Sequence, residues 1–142
     1  MERLPDIIIV DDNLTFRQGL KSILTIEGIA NVIGEASDGS EFINILSNFN
    51  PDLVLLDCEM RAMNGLEATK IALELIPDLK IIALTLFEKQ ECFFKMLDLG
   101  IKGFVLKSSG INELEKAIQA VSRGENYFSD NLQEKIDYNP GS

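Results

Sequence analysis

The stretch Ile7-Ile8-Ile9-Val10 is a continuous run of branched apolar residues, and three comparable runs recur along the 142-residue chain. They are Leu53-Val54-Leu55-Leu56, Ile81-Ile82-Ala83-Leu84 and Phe104-Val105-Leu106. Short apolar runs without polar alternation are typical of strands that are buried on both faces. A fifth run, residues 31–36, contains a glycine and a glutamate, which suits an edge strand. The sequence therefore predicts five strands, four of them central.

Segments with helical spacing follow each predicted strand. Their apolar residues recur three or four positions apart: Phe16, Leu20, Ile23 and Leu24; Phe42, Leu46 and Phe49; Leu66, Leu73 and Ile76; Phe93, Met96 and Leu97; Ile111, Leu114, Ile118 and Val121. Strands joined through helices are parallel, and right-handed crossovers place the helices on both faces of the sheet. We predict an α/β fold with a doubly wound five-stranded parallel sheet in the order 2-1-3-4-5. The domain is expected at residues 1–124, and residues 125–142 are expected to form a linker or C-terminal tail.

Composition restricts the possible partners. The formal charge of −10 argues against contact of this segment with nucleic acid or an anionic membrane. No apolar run reaches the roughly 20 residues of a membrane span, and no signal peptide is evident. Two cysteines and no histidine fit neither a disulfide framework nor a zinc site. We expect a cytoplasmic protein with reduced thiols.

Polar residues follow the four central strands. Strand one is followed by Asp11 and Asp12, strand three by Asp57, strand four by Thr85 and strand five by Lys107. Since ligands bind at the carboxyl ends of such strands, we expect these groups to converge. Two carboxylates about 4 Å apart repel by on the order of 4 kcal/mol at an effective dielectric near 20. A divalent cation, Mg²⁺ in particular, would relieve this repulsion.

A magnesium ion beside a lysine and a hydroxyl suits phosphoryl transfer, which depends on positioning and charge neutralisation. A carboxylate can serve as nucleophile by forming an acyl phosphate. Asp57, at the end of a rigid central strand, is the best placed candidate. The residues thus predict a phosphoacceptor site.

Several motifs together resemble the receiver domain of two-component response regulators. They are Ile8-Ile9-Val10-Asp11-Asp12, Asp52-Leu53-Val54-Leu55-Leu56-Asp57, Met60 with Met63-Asn64-Gly65, Leu84-Thr85 and Gly103-Phe104-Val105-Leu106-Lys107. The resemblance covers about residues 6–124 and implies a flavodoxin-like receiver fold. The segments around Phe16-Arg17, residues 33–39 and residues 120–124 look most like the NarL/FixJ-type subfamily.

The resemblance implies a role for each matching residue. Asp11, Asp12, Asp57 and the main-chain carbonyl of Glu59 would hold Mg²⁺, with Asp57 as phosphoacceptor. Thr85 and Lys107 would bind the phosphoryl oxygens, and Thr85 and Phe104 would form the switch. The protein would catalyse only its own phosphorylation and dephosphorylation, so it would be a switch and not an enzyme acting on other substrates.

The resemblance also implies partners. A cognate histidine kinase or phosphotransfer protein would donate the phosphoryl group, and phosphorylation would favour a homodimer through the fourth and fifth elements. Members of the subfamily usually continue into a helix-turn-helix domain that binds DNA. We expect this segment to be the receiver part of such a transcription factor, with a stand-alone regulator as the alternative.

The chain departs from the family pattern at two positions. Arg61 stands where proline is common, and Leu86 is bulkier than the small residue often found after the switch threonine. Either difference is expected to narrow the access of the phosphodonor to Asp57 or to slow the movement of the loop. By resemblance, Glu59 and Phe87 modulate the lifetime of the aspartyl phosphate.

Some of these residues also have purely structural explanations. Asp12 or Asn13 can cap the first helix, and Phe104 can be an ordinary core residue. Cys58 is expected to pack beside the site as a small apolar residue. Phe93 and its neighbour Phe94 cannot both point to the core, so one of them is a candidate partner contact.

Other functions remain as alternatives. A receiver-like interaction module that takes no phosphate would keep the same fold. A phosphohydrolase of the haloacid dehalogenase class needs a second aspartate two residues after its nucleophile, whereas Asn13 stands two residues after Asp11. A dinucleotide-binding domain is disfavoured because no Gly-x-Gly-x-x-Gly follows the first strand.

Overall fold

Strands and helices alternate along the chain. The computed structural model describes residues 3–60, 64–86 and 90–129. The strands are β1 (Asp6–Val10), β2 (Asn31–Ala36), β3 (Leu53–Asp57), β4 (Ile81–Thr85), β5 (Gly103–Leu106) and β6 (Tyr127–Phe128). The helices are α1 (Leu14–Ile26), α2 (Gly39–Leu46), α3 (Gly65–Leu75), α4 (Gln90–Leu99) and α5 (Ile111–Ser122), with a short 3₁₀ turn at Lys107–Ser109.

All strands pair in parallel in the order β2-β1-β3-β4-β5-β6. The predicted order 2-1-3-4-5 and the edge position of β2 are therefore confirmed. The predicted number of strands is wrong, because β6 adds a sixth strand beside β5, with Phe128 opposite Phe104. A strand of two residues is too short to show any periodicity. It lies within residues 125–142, where we expected a linker or tail; residues 130–142 lie outside the described part of the chain.

The hydrophobic core lies on both faces of the sheet. Along β1, Ile8 and Val10 pack with α2, α3 and α4, whereas Ile7 and Ile9 pack with α1 and α5. This alternation follows from the two-residue period of a strand. Every residue of β3 and β4 is buried. Their apolar runs are thus explained by helices covering both faces.

Polar side chains cap the helices that begin near the carboxyl edge of the sheet. Asn13 accepts a hydrogen bond from the main-chain N–H of Phe16, Asp38 from that of Glu41 and Asn64 from that of Glu67. Of the two capping candidates considered for α1, Asn13 is the cap. Asp12 is not needed for this role.

The first residue of α3 packs tightly against the end of β3. A Cβ atom at Gly65 would press on the main chain of Cys58 and lie 2.9 Å from the carbonyl oxygen of Asp57. Only glycine allows this close approach. The start of α3 therefore fixes the main chain around Asp57. Among the described residues, no helix is both long and apolar enough to cross a membrane.

Candidate functional site

Three carboxylates meet at the carboxyl edge of the sheet. Asp11 and Asp12 follow β1, and Asp57 ends the neighbouring strand β3. One oxygen from each of the three side chains lies within 4.8 Å of the other two. Asp11 and Asp57 are buried, with 1% and 4% of their surface exposed, whereas Asp12 is exposed. The structure thus brings together the acidic residues that the sequence singled out.

Lys107 reaches this acidic cluster from the end of β5. Its ammonium nitrogen lies 2.7 Å from Asp11 Oδ2 and 3.4 Å from Asp57 Oδ2, and its side chain is 7% exposed. Asp11 Oδ2 has no hydrogen bond within the described structure, so the ion pair with Lys107 compensates its charge. Three carboxylates and one ammonium leave a formal charge of −2. A divalent cation would balance it.

The Asp57 carboxyl is held by its own loop. Its Oδ1 atom accepts a hydrogen bond from the main-chain N–H of Glu59 at 3.0 Å. Burial raises the pKa of Asp57, and the charge of Asp11 adds to this, while the Glu59 N–H and Lys107 oppose it. Without a further positive charge nearby, the ionised form of Asp57 is therefore less favoured than the ionised form of an ordinary surface aspartate.

Thr85 and Glu59 contact each other across the site. The Thr85 hydroxyl donates a hydrogen bond to Glu59 Oε1 at 2.7 Å, and Thr85 is 1% exposed. For Glu59 the sequence predicted a main-chain role in metal binding and, by resemblance, an effect on the lifetime of the aspartyl phosphate, but it did not predict this side-chain contact. No sequence spacing relates two residues 26 positions apart in the chain.

Phe104 lies inside the core, where it is fully buried. Its ring packs edge to face on Phe93, at 5.1 Å between centroids, and Phe93 packs on Phe128 of β6 at 5.4 Å. Phe94 is half-buried against the same core, so Phe93 is the inward member of the pair. The position of Phe104 fits both a core residue and the inward state of an aromatic switch.

A cleft of about 660 Å³ opens over the acidic cluster. Its lining includes Asp12, Asp57, Glu59, Lys107 and Leu86. Leu86 is 56% exposed, so it stands at the cleft as a bulky apolar side chain. The other departure from the family pattern, Arg61, lies outside the described residues, as does Phe87, the second position expected to modulate the lifetime of the aspartyl phosphate.

Cys58 lies next to the site but is not an activated thiol. A hydrogen bond with Cys92 and burial both raise the pKa of the Cys58 thiol. No disulfide joins Cys58 and Cys92. Cys58 therefore packs as a small apolar residue.

Contacts from α1 to the site went unrecognised in the sequence. The Phe16 ring lies under the Lys107 ammonium, 4.4 Å from nitrogen to ring centroid. Arg17 donates a hydrogen bond to the main-chain carbonyl of Asp11 at 2.6 Å. Helical spacing predicts that Phe16 is a core position of a helix, but it does not show which strand end the ring will face.

Comparison with known proteins decides the family. The family model for the response regulator receiver domain matches residues 7–119. The chain belongs to the response regulator receiver domain family. The receiver domain is 35% identical over 130 residues to the transcriptional regulatory protein LiaR of Bacillus subtilis, covering 92% of this chain and 62% of LiaR.

Solved structures agree with this assignment. A two-component response regulator of the LuxR family from Aurantimonas sp. SI85-9A1 superposes with a TM-score of 0.89 at 27% identity, covering 95% of this chain and 96% of that one. The isolated receiver domain of RcsB from Salmonella enterica serovar Typhimurium, in the presence of the phosphomimetic BeF₃⁻, gives a TM-score of 0.84 at 27% identity, covering 93% and 98%.

The matches also limit what is known of the whole protein. The chain spans about 52% to 62% of the length of the first curated relatives that it matches. Its homologues include two-component response regulators of the LuxR/NarL kind. The haloacid dehalogenase alternative finds no support in these matches.

Proposed function

We propose that Asp57 accepts a phosphoryl group in a Mg²⁺-dependent reaction and that this switches the receiver domain between two states. The observation that carries the proposal is the carboxylate cluster with a formal charge of −2, in which the buried Asp57 lies 3.4 Å from Lys107. Such a cluster is electrostatically costly unless a cation occupies it. A role in binding a cation and accepting a phosphoryl group would explain why the fold keeps a cluster with this electrostatic cost.

The donor set suits Mg²⁺. Carboxylate oxygens are hard ligands, and Mg²⁺ is usually held by one or two carboxylates together with waters and phosphate oxygens. Asp11, Asp12 and Asp57 would hold the ion, and Asp11 Oδ2 is a buried oxygen without a hydrogen bond among the described residues. The main-chain carbonyl of Glu59 would be a further ligand. When bound, Mg²⁺ supplies positive charge that offsets the carboxylates and the phosphoryl oxygens.

Each residue of the site then has a separate role in phosphoryl transfer. The Glu59 N–H holds Asp57 Oδ1 and so fixes the orientation of the carboxylate. A bond forms between an Asp57 oxygen and phosphorus while the bond from phosphorus to the donor breaks, and the leaving group keeps that electron pair. Lys107 supplies a fixed positive charge beside Asp57 for the transferred oxygens.

Thr85 would report the new phosphoryl group. Its hydroxyl, which now donates to Glu59 Oε1, would donate to a phosphoryl oxygen instead. Phosphorylation adds about −1.5 to −2 charges, enough to favour this exchange. Phe104 is the proposed aromatic residue of the switch, and its packing on Phe93 would transmit the change to α4. Partners would detect the surface of α4, β5 and α5.

The partners belong to the same proposal. A histidine kinase or phosphotransfer protein would supply the phosphoryl group, and the phosphorylated form would associate as a homodimer. LiaR is named a transcriptional regulatory protein and is longer than this chain, which supports DNA binding through a C-terminal domain. This segment, with its charge of −10, would not contact DNA itself. Two cysteines without a disulfide between them suit a cytoplasmic setting.

Intact mass spectrometry tests the reaction. The chain is incubated with a small acyl-phosphate donor, with Mg²⁺ or with a chelator. We expect the mass of one phosphoryl group to be gained only with Mg²⁺, and not by the Asp57→Asn variant. No gain by the wild-type chain would favour an interaction module that takes no phosphate. Equal gain by Asp57→Asn would show that the acceptor is another residue.

A further inference from the structure

The Lys107 ammonium has an aromatic contact in addition to its two carboxylates. The Phe16 ring centroid is 4.4 Å from the nitrogen, within the range of a cation–π interaction. The Lys107 side chain is 7% exposed, so little water competes for the cation. A cation–π contact is stronger when it is desolvated. The ring is therefore a substantial part of the surroundings of the ammonium group.

Hydrogen bonds hold the main chain that carries this ring close to the acidic cluster. The Asn13 N–H donates to Asp11 Oδ1 at 2.8 Å, and Asn13 Oδ1 accepts from the Phe16 N–H at 3.0 Å. Arg17, the next residue of α1, donates to the Asp11 carbonyl at 2.6 Å. The first turn of α1 is thus tied to Asp11 by side chains on both sides of Phe16.

An aromatic ring holds a lysine differently from a carboxylate. The ring attracts the cation through its quadrupole and leaves the ammonium charge uncancelled. Lysine has a flexible stem and three N–H donors, so it needs an external constraint to stay in one place. At this site the Asp11 and Asp57 carboxylates hold the ammonium, and the ring adds a contact that uses none of its N–H donors.

We propose that Phe16 is a positioning residue for phosphoryl transfer, whose ring holds the Lys107 ammonium beside Asp57. The inference rests on the proposed function, because it assigns a task to Lys107 in that reaction. It goes further by making the first turn of α1 part of the site. A purely structural role for Phe16 is the competing explanation, since the ring also packs against the core between α1 and α5.

A double-mutant cycle separates the two explanations. Phe16→Leu keeps an apolar side chain but removes the π face, Phe16→Tyr keeps the face, and Lys107→Met removes the charge but keeps the stem. The initial rate of Asp57 phosphorylation by a small acyl phosphate is measured with saturating Mg²⁺. We expect Phe16→Leu to lower the rate about 3- to 10-fold. Phe16→Tyr should stay within about twofold, and Phe16→Leu should have no further effect in the Lys107→Met background.

Two results would overturn the inference. One is a Phe16→Leu rate equal to wild type, and the other is a Phe16→Leu loss of the same size with and without the Lys107 charge, which would mark a structural role. Thermal unfolding identifies variants that do not fold, and Phe16→Met replaces Phe16→Leu if the latter is unfolded. If the wild-type chain takes no phosphoryl group, the proposed function fails and the inference falls with it. A phosphorylated wild type with an unaffected Phe16→Leu would refute the inference alone.

Discussion

Carboxylates stand at both ends of β3, and the two ends have opposite surroundings. At the amino end, Asp52 accepts a hydrogen bond from the Asp6 N–H at 2.7 Å and pairs with Arg3 at 3.1 Å, with 37% of its side chain exposed. At the carboxyl end, Asp57 is 4% exposed and lies beside Asp11, which is 1% exposed. Both ends combine acidic side chains at or next to the ends of β1 and β3 with a basic side chain.

The difference shows that burial, and not residue type, sets the electrostatic cost of the carboxylates at the carboxyl end. Exposed ion pairs are screened by water and contribute little, so the amino end is an ordinary stabilised surface. The buried carboxylates of the other end repel one another in a medium that screens poorly, and Asp57 has a raised pKa because of burial. A site that binds a cation and a phosphoryl group needs this uncompensated charge.

The largest expected difference between the two ends concerns Mg²⁺. Asp11→Asn should weaken Mg²⁺ binding about 10- to 100-fold, because it removes a charged ligand from the buried cluster. Asp6→Asn, at the other end of β1, should leave the affinity unchanged. The Mg²⁺-dependent rise in melting temperature measures both. Equal Mg²⁺ responses of the two variants would refute a cation site at the carboxyl end.

A second difference should appear in stability without Mg²⁺. Asp57→Asn should stabilise the fold by about 1 kcal/mol, or roughly 4 °C, since it removes a desolvated charge that faces Asp11. Asp52→Asn should destabilise by no more than about 0.5 kcal/mol, since it weakens an exposed ion pair. Urea unfolding in a chelator compares the variants. Destabilisation by Asp57→Asn would mean that its contact with Lys107 outweighs the repulsion.

The pH dependence of the Asp57→Asn effect sharpens this comparison. The pKa of Asp57 is raised above its ordinary 3.8, so the folded state binds this proton more readily than the unfolded state. As the pH falls through the raised pKa toward 3.8, protonation relieves the cost of burial in the wild-type chain. The stability gain of Asp57→Asn should therefore shrink over that window. A gain that stays constant from neutral to mildly acidic pH would argue against a raised pKa.

The smallest expected effect is that of salt on the amino end. Arg3→Gln should lower stability only slightly at low ionic strength, and this loss should vanish at about 1 M salt. The buried pair of Lys107 with Asp11 is screened less, so the effect of Lys107→Met on stability should change little with salt. Unfolding free energies at low and high NaCl compare the two variants. A salt response of equal size would show that both ends are open to water.

Much of the fold was predictable because its signals are local. Apolar runs such as Ile7-Ile8-Ile9-Val10 and the helical stripes between them give five parallel strands, with residues 31–36 at an edge. The sixth strand was missed because Tyr127 and Phe128 alone have no periodicity. Its existence depends on the exposed edge of β5, which offers main-chain partners that only the folded sheet provides.

The site was predictable to the extent that its residues directly follow strands. Asp11, Asp57 and Lys107 converge because parallel strands end at one edge of the sheet. The hydrogen bond from Thr85 to Glu59 and the Phe16 ring under Lys107 were not predictable. These contacts depend on side-chain rotamers and on the packing of α1 against the strand ends. Neither produces a recognisable spacing of residues in the sequence.

Sequence alone thus determined the five longer strands and the set of chemical groups at the carboxyl edge, because both follow from the apolar runs and the residues that end them. Tertiary structure alone decided which of the similar carboxylates lose their solvation on folding and which basic side chain each one contacts. Asp52 and Asp57 have the same side chain at opposite ends of one strand. Only the fold leaves one in water and buries the other beside Asp11 and Lys107, because desolvation is a property of the packed chain.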